Sequence, residues 1–192
     1  MTHPETVTLS LDDIHALAVA AFTAQGCDAD NAAALARTVT TAERDGSISH
    51  GLFRVPGYVA SLNSGKVKGD AVPVVRNDLA SVVSVDGCHG YTPLALERGL
   101  PVLARAATET GIAIMRIYNS YHFAALWPET EYLAEQGLVG LACTSFKAGV
   151  APSGAREAFF GTNPLSFAWP RPGHDPVAVS YTHLRAHETQ RN

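Results

Sequence analysis

From Leu11 the apolar positions recur at helical spacing: Leu11, Ile14, Leu17, Ala18 and Ala21 fall on one face of a 3.6-residue period. Ser10 with Asp13 three residues on marks a start close to a capping box, and Gly26 ends the turn after Gln25. A second, alanine-rich helix is expected from about Asp30 to Arg44, with Leu35 and Val39 four residues apart and Gly46 as its stop. The run GLFRVPGYVASLNSG, residues 51–65, predicts a third helix broken near Pro56, because proline lacks the N–H that a helix interior needs. Residues 1–65 therefore read as an N-terminal helical segment.

The pattern changes at Lys66. AVPVV and ASVVSVDG are short β-branched runs separated by turn residues, hence strands. Residues 92–110 are helical in pattern, weakened by Gly99 and Pro101. GIAIMRIYNS reads as a buried strand, PETEYLAEQG as a short helix with Pro128 in its first turn, and LVGLACTSF as another strand. GTNPLSFAWP is a turn followed by an extended segment. The order is three helices followed by mixed α/β structure over residues 66–179. Beyond that, YTHLRAHETQRN is polar and aperiodic. VSYTHLRAHET resembles an adaptor-derived stretch, and residues 180–192 are expected to be a foreign tail.

Composition narrows the function. With 192 residues, 46% apolar and 17% charged, the chain can bury a core and is globular in balance. A net charge of −4 lacks the basic footprint of a nucleic-acid binder. Cys27, Cys88 and Cys143 lie far apart with no CxxC pair, which argues against a disulfide framework or structural zinc. The histidines have no metal-ligand spacing, so no metal is expected. No apolar run approaches the ~20 residues of a membrane helix, and the polar N-terminus has no signal-peptide character. A cytoplasmic protein is the expectation.

Three stretches carry candidate chemistry. AERDGSISHGLFR sets Ser49, His50 and Arg54 within six residues. Histidine is the natural proton donor near neutral pH, and a guanidinium is the preferred bidentate partner of a carboxylate. If the segment is helical, His50 and Arg54 share a face and suit a small acid. A helix-end histidine beside a solvated arginine is the alternative. In NSYHFAALWP, Asn119, Ser120 and His122 follow an apolar strand, where ligand sites of α/β folds gather. Phe123, Leu126 and Trp127 there form a wall for a nicotinamide ring, or plain core. GTNP, residues 161–164, is a tight turn able to hold a carboxylate or carboxamide, or simply a turn. Neither G-x-G-x-x-G nor a P-loop occurs, so a nucleotide cofactor would need another architecture.

Together ERDGSISHGLFRVPGY, VDGCHGY, NSYHFAALWP, APSGAREAFFGTNP and the DP at 175–176 resemble the malate/L-lactate dehydrogenase-like family over about Leu11 to Val179. HFAALWP is most similar to its Δ1-piperideine-2-carboxylate/Δ1-pyrroline-2-carboxylate reductase members. The resemblance implies a non-Rossmann NAD(P)-binding α/β fold following the helical segment. It implies that His50 donates a proton, Ser49 relays, Arg54 binds substrate carboxylate, Thr162 touches substrate, and His122, Phe123, Ala124, Ala125 and Leu126 contact the cofactor. NADPH, with NADH as the alternative, would reduce a cyclic imino acid to L-pipecolate or L-proline. A 2-hydroxy-acid dehydrogenase is the rival reading, and a non-catalytic binding or oligomerisation module the third. The partner is a small carboxylate, and a homodimer is implied. Ser180 stands where the family opens a D-x-A-T-S segment, and the family's relay aspartate lies further on. A truncated fragment, inactive and poorly soluble as written, is therefore expected.

Overall fold

The computed structural model describes residues 7–121 and 124–181. They form two compact units that divide between Ala124 and Ala125.

In the first unit, α1 (Leu11–Ala24) opens on the expected capping box, with Ser10 accepting from the Asp13 amide and Asp13 accepting from the Ser10 amide. Its buried stripe is Ile14, Ala18 and Phe22, four residues apart and turned toward α2 (Ala29–Arg44). Leu11 and Leu17, expected on the apolar face, are exposed. The stripe drifts by four-residue steps, and these two leucines lie off it.

The third helical stretch is not one helix broken at Pro56. Two single 3-10 turns, Ile48–His50 and Leu52–Arg54, precede α3 (Val55–Asn63). Pro56 sits in the first turn of α3, where its missing N–H would have had no partner anyway. It starts the helix.

The chain then forms β1 (Val74–Leu79), β2 (Val82–Tyr91), α4 (Thr92–Thr110) and β3 (Ile114–Tyr121). β1 pairs antiparallel and β3 parallel with the central β2, so α4 is the crossover that a parallel pair requires. α4 runs unbroken for 19 residues through Gly99 and Pro101. A Cβ at Gly99 would stand 2.5 Å from Met115 Sδ and 2.8 Å from Val85 Cγ2. The glycine thus lets α4 lie close on the sheet, and burial of Leu94, Ala95, Leu100, Leu103 and Ala106 outweighs the local propensity cost.

Tyr91, at the end of β2, explains why the helical segment and the first sheet share a unit and do not separate at residue 65. Its ring meets Tyr58 edge-on at 5.5 Å, and Tyr58 meets Phe22 edge-on at 5.9 Å. The Tyr91 hydroxyl donates to the Tyr58 carbonyl at 2.6 Å. These rings pack with Ile14, Ala18, Leu35 and Val39 in one core.

The second unit packs α5 (Trp127–Glu135) on an antiparallel sheet of β4 (Gly140–Cys143), β5 (Leu165–Arg171) and β6 (His174–Tyr181). Thr130 and Ser166 join helix to sheet through a buried 2.7 Å hydroxyl pair. Leu141, Phe167, Trp169, Val177 and Val179 are exposed. Ser180 and Tyr181 pair with Ser166 and Leu165, so the ladder includes the first two residues of the stretch expected to be foreign. Residues 182–192 lie outside the described residues. Among the described residues, no helix is long and apolar enough to cross a membrane.

Candidate active site

The last turn of α2 and the two 3-10 turns build the first cluster. Gly46, at φ 69°, turns the chain as α2 ends, and the Ser47 amide closes the turn on the Ala42 carbonyl at 2.8 Å. The His50 amide then donates to the Ser47 carbonyl at 2.8 Å, which sets residues 47 and 50 over one another, as 3-10 geometry dictates. Two hydroxyls converge on His50 Nδ1: Ser49 Oγ at 2.9 Å and Ser47 Oγ at 3.3 Å. A hydroxyl both donates and accepts, so the pair holds the ring whether or not Nδ1 carries a proton.

Arg54 reaches this cluster by a route that the sequence does not show. His50 and Arg54 do not share the face of one helix, because the chain changes course at Gly51 between the two 3-10 turns. They are joined through Ser49: Arg54 Nε donates to the Ser49 carbonyl at 2.6 Å. Among the described residues, the terminal guanidinium nitrogens make no hydrogen bond. The fork is therefore held by its stem with its terminal donors available to a ligand.

Two further residues belong to the cluster and were missed. Ser47 could have been found from its three-residue spacing to His50. Glu43 could not, since it acts nine residues away: its Oε1 accepts the Leu52 amide at 2.7 Å.

Asn119 and Ser120, suggested as ligand groups, lie inside β3 and serve the sheet. Asn119, at φ 50°, donates through Nδ2 to Asp86 Oδ1 at 3.2 Å. Ser120 Oγ pairs with Thr92 Oγ1 at 2.6 Å. Asp86 also accepts the Cys88 amide at 2.9 Å. These bonds hold its carboxyl below the usual range, the Cys88 amide contributing most and Asn119 less. This is the work of the VDGCHGY motif: Cys88 and His89 both adopt positive φ, and Asp86 braces the irregularity where β2 and β3 slip register.

Ala125 and Leu126, at the start of the second unit, are buried, and Ala124, at the end of the first, is partly so; His122 and Phe123 lie outside the described residues. Leu126 precedes α5 with no side-chain cap, and Pro128 and the acidic Glu129 stand in the first turn. Thr162 sits in a turn pinned on both sides. Asn163, at φ 42°, accepts the Phe146 amide at 3.3 Å, and the Thr144 amide donates to the Pro164 carbonyl at 3.3 Å. A Cβ at Gly161 would collide with the Phe146 carbonyl oxygen and would stand 2.6 Å from Asn163 Oδ1, so only glycine fits beside Thr162. The Thr162 hydroxyl makes no hydrogen bond among the described residues.

A profile of the malate/L-lactate dehydrogenase family matches residues 9–181. The chain belongs to that family. Among its relatives is a Δ1-pyrroline-2-carboxylate reductase of Burkholderia ambifaria, 47% identical over 175 residues, which cover 91% of this chain and 52% of the relative. The crystal structure of Δ1-piperideine-2-carboxylate reductase from Pseudomonas syringae superposes with a TM-score of 0.87 at 44% identity, covering 92% of this chain and 53% of that one. Malate dehydrogenase from Pyrococcus horikoshii superposes with a TM-score of 0.84 at 27% identity, covering 92% and 50%. This member of the malate/L-lactate dehydrogenase family thus spans about half the length of the relatives it matches, and its mixed α/β architecture is the family's.

Proposed function

We propose that the protein reduces a cyclic 2-imino acid, Δ1-pyrroline-2-carboxylate or Δ1-piperideine-2-carboxylate, to L-proline or L-pipecolate with NADPH, NADH being the alternative. The observation that carries the reading is the tie from Arg54 Nε to the Ser49 carbonyl. It sets an available guanidinium fork beside an imidazole held by two hydroxyls. The names of the reductase relatives supply the substrate class.

The dihydronicotinamide, when bound, supplies a hydride to C2 of the imine. The chain's own residues do the rest. The Arg54 fork binds the carboxylate and fixes the ring's orientation, and such positioning supplies several kcal/mol of the barrier reduction. With hydroxyls at Nδ1, His50 Nε2 is the nitrogen that passes a proton to the imine nitrogen, leaving a secondary amine. Thr162 is assigned a substrate contact, supported by its hydrogen-bond-free hydroxyl on a pinned turn. The main chain of Ala124, Ala125 and Leu126, leading into α5, is assigned to the cofactor from the family resemblance. Ala125 and Leu126 are buried, so their backbone groups are what they would offer. His122 and Phe123 keep the same assignment from the family resemblance alone, and a homodimer is proposed on that ground too.

The chain as written is expected to be inactive, so the test is NADPH consumption by a full-length form of the protein on the two cyclic imino acids against pyruvate and oxaloacetate. Turnover confined to the imines is expected. Turnover confined to the 2-oxo acids would replace this reading with a hydroxy-acid dehydrogenase, for which His50 would protonate an oxygen in place of a nitrogen.

A further inference from the structure

We infer that Glu43 is the positioning residue that sets the His50–Arg54 geometry, acting as an acceptor for the backbone of the turn between them. The inference rests on the reductase reading for its kinetic consequence and on the geometry alone for its structural one.

The two 3-10 turns are too short to hold themselves. Runs of this kind have poor hydrogen-bond geometry, and the amides that open a helical turn have no partner within it. The first turn carries Ser49 and His50; the second carries Arg54. Between them stands Gly51, whose amide bonds the Ile48 carbonyl at 3.3 Å and whose carbonyl accepts the Arg54 amide at 2.9 Å. The opening amide of the second turn is that of Leu52, and Glu43 Oε1 takes it at 2.7 Å. A carboxylate acceptor makes this bond stronger than a neutral one. Glu43 belongs to α2, whose far end is capped by Asp28 and whose middle is buried. The bond therefore fastens the second turn to α2.

Gly51 carries the second observation. A Cβ there would stand 2.5 Å from Glu43 Cδ and 2.7 Å from Cγ, and closer still to Oε1. The glutamate side chain lies along the one backbone position without a side chain, in the space that a side chain would fill. The Glu43 carboxylate and Gly51 are therefore matched: the absence of a Cβ admits the carboxylate, and the carboxylate holds the turn. Arg54 then closes the loop back to Ser49. If the Glu43 bond is lost, the second turn swings about Gly51, and the fork moves relative to the imidazole.

The experiment compares Glu43→Gln, Glu43→Asp and Glu43→Ala with the parent by amide hydrogen exchange and by steady-state kinetics on Δ1-pyrroline-2-carboxylate. Glutamine keeps an acceptor oxygen at the same reach, so its Leu52 amide should exchange at close to the parent's rate. Aspartate is one methylene too short, and alanine has no acceptor. In both, Leu52 should exchange about ten- to a hundredfold faster, the size of one lost hydrogen bond to a charged group, with the Val39 amide in α2 as an unchanged reference. Kinetically, KM should rise about tenfold in the aspartate and alanine variants, with kcat falling by less, since orientation of the carboxylate is what is lost. A purely structural role would lower the amount of folded protein and leave KM of the folded fraction alone. Parent-like exchange at Leu52 in the aspartate variant would overturn the inference, and so would a glutamine variant as defective as aspartate. The kinetics are read in a full-length form: should none of its variants nor the parent reduce an imino acid, the functional reading fails, while exchange at Leu52 still decides the role of Glu43.

Discussion

Arg54 and Ser49 are joined by a 2.6 Å hydrogen bond from the guanidinium Nε to the backbone carbonyl, and the same Ser49 presents its hydroxyl to His50 Nδ1 at 2.9 Å. One residue thus holds the guanidinium proposed to bind the carboxylate through its main chain, and the imidazole proposed to donate the proton through its side chain. The two functions are coupled in space although no continuous helix links them.

Arg54→Lys separates these roles. An ammonium keeps the charge but has neither the Nε tie nor the planar fork. KM for the imino acid should rise by about one to two orders of magnitude, the size of one or two lost charge-assisted hydrogen bonds. Initial rates over a range of substrate concentration check it. A KM within twofold of the parent would remove Arg54 from the site.

The two serines should differ in weight. Ser49→Ala removes the shorter bond to Nδ1 and should lower kcat about tenfold, in keeping with one hydrogen bond. Ser47→Ala removes a contact at 3.3 Å and should cost less. The double variant should lose more than the product of the two, because either hydroxyl alone can still orient the ring. Rates for the four proteins form the double-mutant cycle that measures this.

Tyr91→Phe removes the donor to the Tyr58 carbonyl inside the core of the first unit. The Tyr58 carbonyl keeps its partner within α3, so the loss is that of one ordinary hydrogen bond, about 0.5–1.5 kcal/mol. Thermal or denaturant unfolding should show the loss, with Leu79→Ala, at an exposed position, as a near-neutral control.

Cys27 makes the stability of the first unit depend on alkaline pH. Burial first, and the neighbouring Asp28 charge second, push its thiol from 9.0 up to about 11. The folded state therefore favours the neutral thiol. Its contribution is fully present below pH 9, where the unfolded thiol is also protonated, and is lost as pH rises toward 11. Unfolding midpoints between pH 8 and 11 should fall more steeply in the parent than in Cys27→Ala. A thiol reagent at pH 8 should label the exposed Cys143 well before Cys27.

Much of the element order was legible because its signals are local. The Ser10–Asp13 box, the alanine-rich helix stopped at Gly46 and Pro128 in the first turn of α5 each rest on signals a few residues long. The helix expected over 92–110 forms in full: the cost of Pro101 is local, and the packing of α4 on Val85 and Met115, permitted by Gly99, outweighs it. Asn119 and Ser120 looked like ligand groups because polar residues at the end of a strand often are. Their partners, Asp86 and Thr92, lie some thirty residues away in sequence.

The sequence by itself determined the family through its ordered motifs, and it supplied the residues proposed for the site, Ser49, His50, Arg54 and Thr162. It determined most of the helices and strands, since these answer to periodicity and to caps a few residues long. Only the tertiary structure decided how His50 and Arg54 are related, because that depends on a carboxylate reaching nine residues to an amide and on a guanidinium returning to a carbonyl. Contacts of that kind have no period, and the chain must fold before they exist.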